Sequence, residues 1–299
     1  VMEGHIIYTR SPDGGTLWDA LKNLGQGEFP GIWLDSSGNP LVTWTNGDTL
    51  VYSRKTTAWS RTNYLFGLSQ PSHPSIVVTT PEVTDIDSVH MLVRLSRSVR
   101  PYNSIKEVSF SVPNPETYHL NTIDYSSGAN MITLDFPSVA RDYENTLHAT
   151  WMHADTIYYG IRAEDADWNV WGNRFGDQGV QSAHPFVETY GDSIFVVWQN
   201  EGNDEVYRGY RHLEHPFHWA NLSQTSTTPS IYPVNASGMV TTFVDEWTAI
   251  CNYDIFWKTS PDNPLHNISN TRRVKSIYPH TSLWIREMML PVQFTVWLE

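Results

Sequence analysis

Chemistry in this chain has to come from carboxylates, imidazoles and rings, because its thiols amount to one residue, Cys251. Cys251 follows Thr248-Ala249-Ile250, an apolar setting that suits a packed side chain better than a reactive thiolate. Acids stand close together at Asp165 and Asp167, Asp204 and Glu205, and Asp245 and Glu246. Two carboxyls flanking one glycosidic bond suffice for hydrolysis, but their separation in space decides it, and most such pairs are solvated turns. His212, His215 and His218 bracket Glu214. A helix would align that spacing for Zn²⁺, but Pro216 spoils a helix and a strand would scatter the ligands, so a polar outer loop is expected and no metal. Asn200–Asp204 holds oxygen donors of the kind Ca²⁺ takes, without the regular Ca²⁺-loop spacing. No cofactor is expected. His-Glu-x-x-His, Gly-x-Ser-x-Gly and P-loop patterns do not occur, and Gly25-Gln-Gly27 leads into no helical pattern.

The elements that position these residues are strands. A proline recurs at Pro30, Pro74, Pro137, Pro185, Pro229 and Pro279. Each is followed by a short apolar strand, a turn, and an alternating strand that often ends in Trp: Leu41–Trp44, Leu147–Trp151, Ile194–Trp198 and Phe294–Trp297. A third, tyrosine-rich strand follows, as in Leu50-Val-Tyr-Ser, Ile157-Tyr-Tyr-Gly and Val206-Tyr-Arg-Gly. Period-2 alternation between turn signals such as Asn46-Gly47-Asp48 argues for strands, and no segment keeps helical periodicity. A repeat of this length with three or four strands is the signature of a β-propeller. The expected fold is all-β: one six-bladed propeller over residues 1–299, blades starting near 30, 74, 137, 185, 229 and 279. The last blade is expected to be closed by residues 5–27 joining residues 279–299, which protects both terminal strand edges. The second repeat is long, with its excess over 81–87 and 113–130, where an insertion would build a rim.

Composition narrows the partners. Hydrophobic content of 40% with 17% charged residues supports a core and excludes disorder, and 13 Trp with 15 Tyr suit pleated sheets and sugar-stacking surfaces. The formal net charge of −13 disfavours nucleic acid and anionic membrane. No apolar run reaches the roughly 20 residues of a membrane span. An extracellular, periplasmic or cell-surface protein is expected, with no signal peptide visible.

Ser11-Pro-Asp13-Gly-Gly15-Thr-Leu-Trp18 has the Ser-x-Asp-x-Gly-x-x-Trp form of the Asp box, and Ser260-Pro-Asp262-Asn263 is a degenerate copy. On these motifs the chain resembles the sialidase-like (BNR-repeat) propellers. The resemblance implies a structural hairpin for Ser11, Asp13, Gly15 and Trp18, with Asp on turn amides and Trp between sheets. Sialidases add an Arg-Ile-Pro motif whose arginine grips the substrate carboxylate. Here the residues two before each repeat proline are Glu28, Ser72, Asp135, Ala183, Thr227 and Ile277, none of them Arg. Arg94, Arg141, Arg208, Arg211 and Arg286 remain to converge in space.

In such propellers the turn entering each innermost strand and the loop between second and third strands share the face that binds ligand. By phase, that mouth carries Glu28, Phe29, Asn46, His73, His153, His184, Gln199, Glu201 and Tyr278 as ligand-binding residues. Rings, imidazoles and amides around a concavity suit a polyhydroxylated ligand, although the same rings would equally plug a channel. The strand-end tryptophans are expected to pack between blades. With the sialidase arginines missing, no catalytic residue is assigned. The expected function is a non-catalytic, lectin-like binding or adhesion propeller, its partner a glycan or an extracellular protein. The alternatives are a glycoside hydrolase or polysaccharide lyase of sialidase-like fold, and a structural subunit of an extracellular assembly.

Overall fold

The structure, a computed structural model, describes residues 4–10, 19–66, 69–80, 86–97, 102–127, 132–164, 166–175, 181–212, 216–224, 230–236, 240–247, 252–258, 266–267, 277–284 and 292–298. Every regular element among them is a β-strand. A first hairpin pairs β1 (His5–Tyr8) with β2 (Lys22–Gln26). Five four-stranded antiparallel meanders follow in chain order. They are β3 (Glu28–Leu34), β4 (Pro40–Asn46), β5 (Thr49–Arg54) and β6 (Thr62–Leu65); β7 (Gln70–Thr79), β8 (Ser88–Arg97), β9 (Tyr102–Ser111) and β10 (His119–Ser127); and β11 (Leu134–Arg141), β12 (Leu147–His153), β13 (Thr156–Arg162) and β14 (Asn169–Phe175). The fourth and fifth are β15 (Ser182–Tyr190), β16 (Ser193–Asn200), β17 (Glu205–His212) and β18 (His218–Asn221), then β19 (Ser230–Ala236), β20 (Val240–Trp247), β21 (Asn252–Lys258) and β22 (His266–Asn267). A last hairpin pairs β23 (Ile277–Trp284) with β24 (Val292–Leu298). The Asp box at 11–18, its copy at 260–263, Asp165, Glu214, His215, Cys251 and Arg286 lie outside the described residues.

The chain divides into two compact units, the first built mainly of β1 to β14 and the second of β15 to β24. In the first, β3 lies against β7 and β7 against β11. In the second, β15 lies against β19 and β19 against β23. Within each unit the first strands of successive sheets are thus neighbours, and one sheet lays its face on the next.

That stacking explains the side-chain pattern of the first unit. A sheet covered on both faces reads as an apolar run, with alternate residues sorted to opposite neighbours. Met91, Val93 and Leu95 of β8, with Val78 of β7, join Leu41, Leu50, Tyr52 and Tyr64 of the preceding sheet. Leu92 and Val77, one residue out of step, join Leu134, Val139, Ala149 and Trp151 of the following sheet. Val42, Trp44 and Val51 pack on Ile6 of the β1–β2 hairpin. The strand-end residues Trp44, Trp151 and Trp198 are fully buried. Each of the last two lies over a third-strand glycine, Trp151 on Gly160 and Trp198 on Gly209, where a larger side chain would displace the indole.

One polar network is buried with them. Glu107 of β9 is fully buried between two sheets and accepts from His90 Nδ1 (2.8 Å), Arg162 (3.1 Å) and Trp168 Nε1 (3.0 Å). Burial pushes its carboxyl up, but His90, Arg162 and Trp168 outweigh that and hold it below its usual range.

Candidate active site

The chain does something unusual at the start of every innermost strand. The pairing register slips between Glu28 and Gly31, Ser72 and Ser75, Asp135 and Ser138, Ala183 and Phe186, Ile231 and Val234, and Ile277 and His280. Each slip encloses an aromatic residue followed by proline: Phe29, His73, Phe136, His184, Tyr232 and Tyr278. This corrects the repeat in the fifth sheet. Its proline is Pro233, not Pro229, because the bulge needs an aromatic residue before proline and Thr228 is none. Phe29, His73, Phe136 and His184 take φ of 53°, 48°, 49° and 51°. A left-handed non-glycine residue costs about 1–3 kcal/mol, so four at one register mark a place where side-chain direction matters more than backbone ease.

In the first unit these rings meet. The Phe29 and His73 centroids are 4.0 Å apart, and those of His73 and Phe136 are 4.5 Å apart. Phe29, His73 and Phe136 are therefore a run of tilted ring contacts drawn from three consecutive sheets. His73 also touches Asp135, Nδ1 to Oδ1 at 2.8 Å. The other carboxylate oxygen takes Arg94 Nη1 at 2.9 Å, and the Phe136 amide donates to Oδ1 at 2.9 Å. Arg94 reaches the next sheet because its strand partner is the small Ser72, and Asn103 braces it with an Oδ1 acceptor at 3.5 Å.

The Asp135 side chain keeps 11% of its surface, His73 21% and Arg94 23%, so the cluster is desolvated yet reachable. Burial alone would raise the Asp135 carboxyl; His73, Arg94 and the Phe136 amide overcome it and hold the group below its ordinary value of 3.8. Asp135 is an anion at neutral pH. Around it Ser72 Oγ and Arg94 Nε are buried without a protein partner, polar capacity of the kind that an enclosed water fills. An ionised carboxylate gripped this way acts as nucleophile, as base toward water, or as a stabiliser of positive charge on a sugar ring.

A second carboxylate–imidazole pair stands at the same end of the first unit. Asp124 of β10 accepts from His153 Nδ1 at 2.7 Å and from Trp151 Nε1 at 2.8 Å, and the His153 ring stacks on Tyr158 at 4.6 Å. Glu28 and Asn46 are exposed at this end, with Glu28 opposite Thr45.

In the second unit Gln199, opposite Ala183, is buried with Oε1 unpartnered, and the buried Ser182 has its Oγ in the same state. Glu201 is exposed, its amide bonded to the Gln181 carbonyl at 2.8 Å. Of the adjacent acids, Glu205 is buried and takes the Ser223 hydroxyl, whereas Asp204 is exposed. Asn200 Oδ1 is occupied by the Gly202 amide at 2.9 Å. His184 shares the strained backbone, and Tyr278 lies at the bulge of β23. Sequence reasoning passed over Asp135, Asp124 and Ser72, and met Arg94 only as one arginine among five. The signal for Asp135 was an acid directly before an aromatic-proline pair.

No protein-family model matches the chain, and no curated protein does. Solved structures do. The chain resembles an α-L-arabinofuranosidase of Fusarium graminearum with a TM-score of 0.59 and 13% identity, over 87% of this chain and 84% of that one. An α-L-arabinanase of Penicillium chrysogenum gives 0.58 and 11%, over 81% and 80%. The Hadza microbial sialidase Hz136 gives 0.55 and 11%, over 89% and 64%. These neighbours overturn the expectation of a non-catalytic binding and adhesion module, since they are glycoside hydrolases and favour the hydrolase alternative. At such identity the likeness shows the fold, and that fold is the all-β arrangement of antiparallel sheets found in β-propeller hydrolases.

Proposed function

We propose that this chain is a glycoside hydrolase whose reaction centres on Asp135. The observation that carries the reading is the ionised, reachable carboxylate at the start of β11, held by Arg94 and His73, with the rings of Phe29 and Phe136 on either side of His73. Clustered rings offer the CH face of a sugar an apolar surface, while the exposed part of Arg94 and His73 is there to meet hydroxyls. Asp135 meets the anomeric centre or the water that attacks it. Hydrolysis also needs a carboxyl that protonates the leaving oxygen. Asp124, the other carboxylate with an imidazole partner at this end, is the first to substitute in search of it.

The arabinofuranosidase and arabinanase neighbours make arabinose-containing polysaccharides the first substrates to test, with sialosides alongside. Release of reducing sugar is expected from at least one of them. Silence across the panel with correctly folded protein would sink the proposal.

A further inference from the structure

The second sheet overhangs the first. Outer strand β6 spans four residues, whereas β9 and β10 span ten and nine, so among the described residues β6 is too short to run the length of β9–β10. This overhang is the extra length of the second repeat, and it leaves a cleft of about 510 Å³. Leu65 and Phe66 of the first sheet form one wall; Tyr102, Tyr118 and Leu120 of the second form another. Leu65, Tyr118 and Leu120 are exposed.

Two cations complete the lining, Arg97 and Lys106. Arg97 Nε donates to Ser69 Oγ at 3.3 Å and Lys106 Nζ donates to Thr122 Oγ1, both neutral hydroxyls. Among the described residues neither has a carboxylate partner, although acids outnumber Lys and Arg by 32 to 19 in the chain. Arg97 faces Tyr102 across the β8–β9 ladder, at the end of the sheet that also carries His73 and Arg94. Uncompensated cations beside tyrosines, in a cleft starting at the candidate active-site end, are the complement of a sugar that carries negative charge.

We propose that this cleft is a subsite for an anionic sugar residue of the substrate, its charge a carboxylate or a sulfate ester. The inference rests on the hydrolase reading for the sugar nature of the ligand. The guanidinium of Arg97 takes the anion as a fork, Lys106 adds a point charge, and the tyrosines receive the ring.

The test measures binding by calorimetry and hydrolysis separately. Galacturonate oligomers, sulfated galactan oligomers and neutral arabinan oligomers of equal length are titrated into wild type, Arg97→Gln, Lys106→Gln and Asp135→Asn. One anionic series is expected to bind at least tenfold tighter than the neutral one, with the preference weakened by added salt. The series that binds tells carboxylate from sulfate. Arg97→Gln and Lys106→Gln should each remove most of the preference, and Asp135→Asn should keep it. Equal binding of neutral and anionic oligomers, or a preference indifferent to Arg97 and Lys106, would overturn the proposal. Absence of hydrolysis with the preference intact strikes the reaction assignment alone.

Discussion

Asp135 carries opposite demands in one carboxylate: burial favours its neutral form, while Arg94, His73 and an amide favour the charged one and win. Because the folded state lowers its affinity for protons, its contribution to stability is fully present above the ordinary value of 3.8 and fades as pH falls through the lower folded value. Urea midpoints of wild type are therefore expected to drop between about pH 4 and pH 2, and Asp135→Asn should flatten part of that slope. An unchanged profile would mean that Asp135 is not held as described. Glu107 behaves differently, having no exposed surface and four donors around it. Glu107→Ala leaves His90 and Arg162 facing each other without an anion, and is expected to cost about 3–5 kcal/mol in equilibrium unfolding. Little of this was legible in the residue order. Asp135 stands two before a repeat proline, where a sialidase carries arginine, and the residue order marks it only as not arginine. That Arg94 serves it from another sheet depends on the small partner Ser72 and on how two sheets stack, neither of which a linear pattern contains.

At the scale of elements, much more could be read. Strand-end tryptophans and aromatic-proline pairs recur because each sheet solves the same problem of covering two faces, so one register reappears in each repeat. The fifth repeat misled by four residues, since two prolines stand there and only the bulge geometry, which takes Tyr232 and not Thr228, tells them apart. The same packing makes a sharp demand at Gly27, where the chain passes from β2 to β3 against Trp44. A Cβ there would collide with the indole Cδ1 and the Thr45 carbonyl oxygen. Gly27→Ala is expected to destabilise by at least about 1–3 kcal/mol, whereas Gly38→Ala, with open space around its Cβ, loses only its left-handed turn preference. Comparable losses at both positions in thermal unfolding would argue against close packing of the hairpin on Trp44. Truncating Trp151 removes a fully buried ring and the donor to Asp124, and Trp151→Ala is expected to cost about 3–5 kcal/mol.

For the whole molecule, the repeat leads us to propose a sixth blade assembled from β23–β24 and β1–β2. A circular permutant with residue 299 linked to residue 1 and new termini in the connection around residue 165 should then fold and unfold in one transition; failure to fold would count against closure. The function of the molecule turns on a narrower point, because the fold hosts hydrolysis in its structural neighbours while the chemistry must come from this chain's own side chains. The most direct measurement is kcat on the best substrate of the panel for wild type and Asp135→Asn, with matched circular dichroism and thermal midpoints near pH 7. The account predicts at least a hundredfold loss of kcat with little change in KM. Retention of wild-type kcat by the folded variant would contradict it.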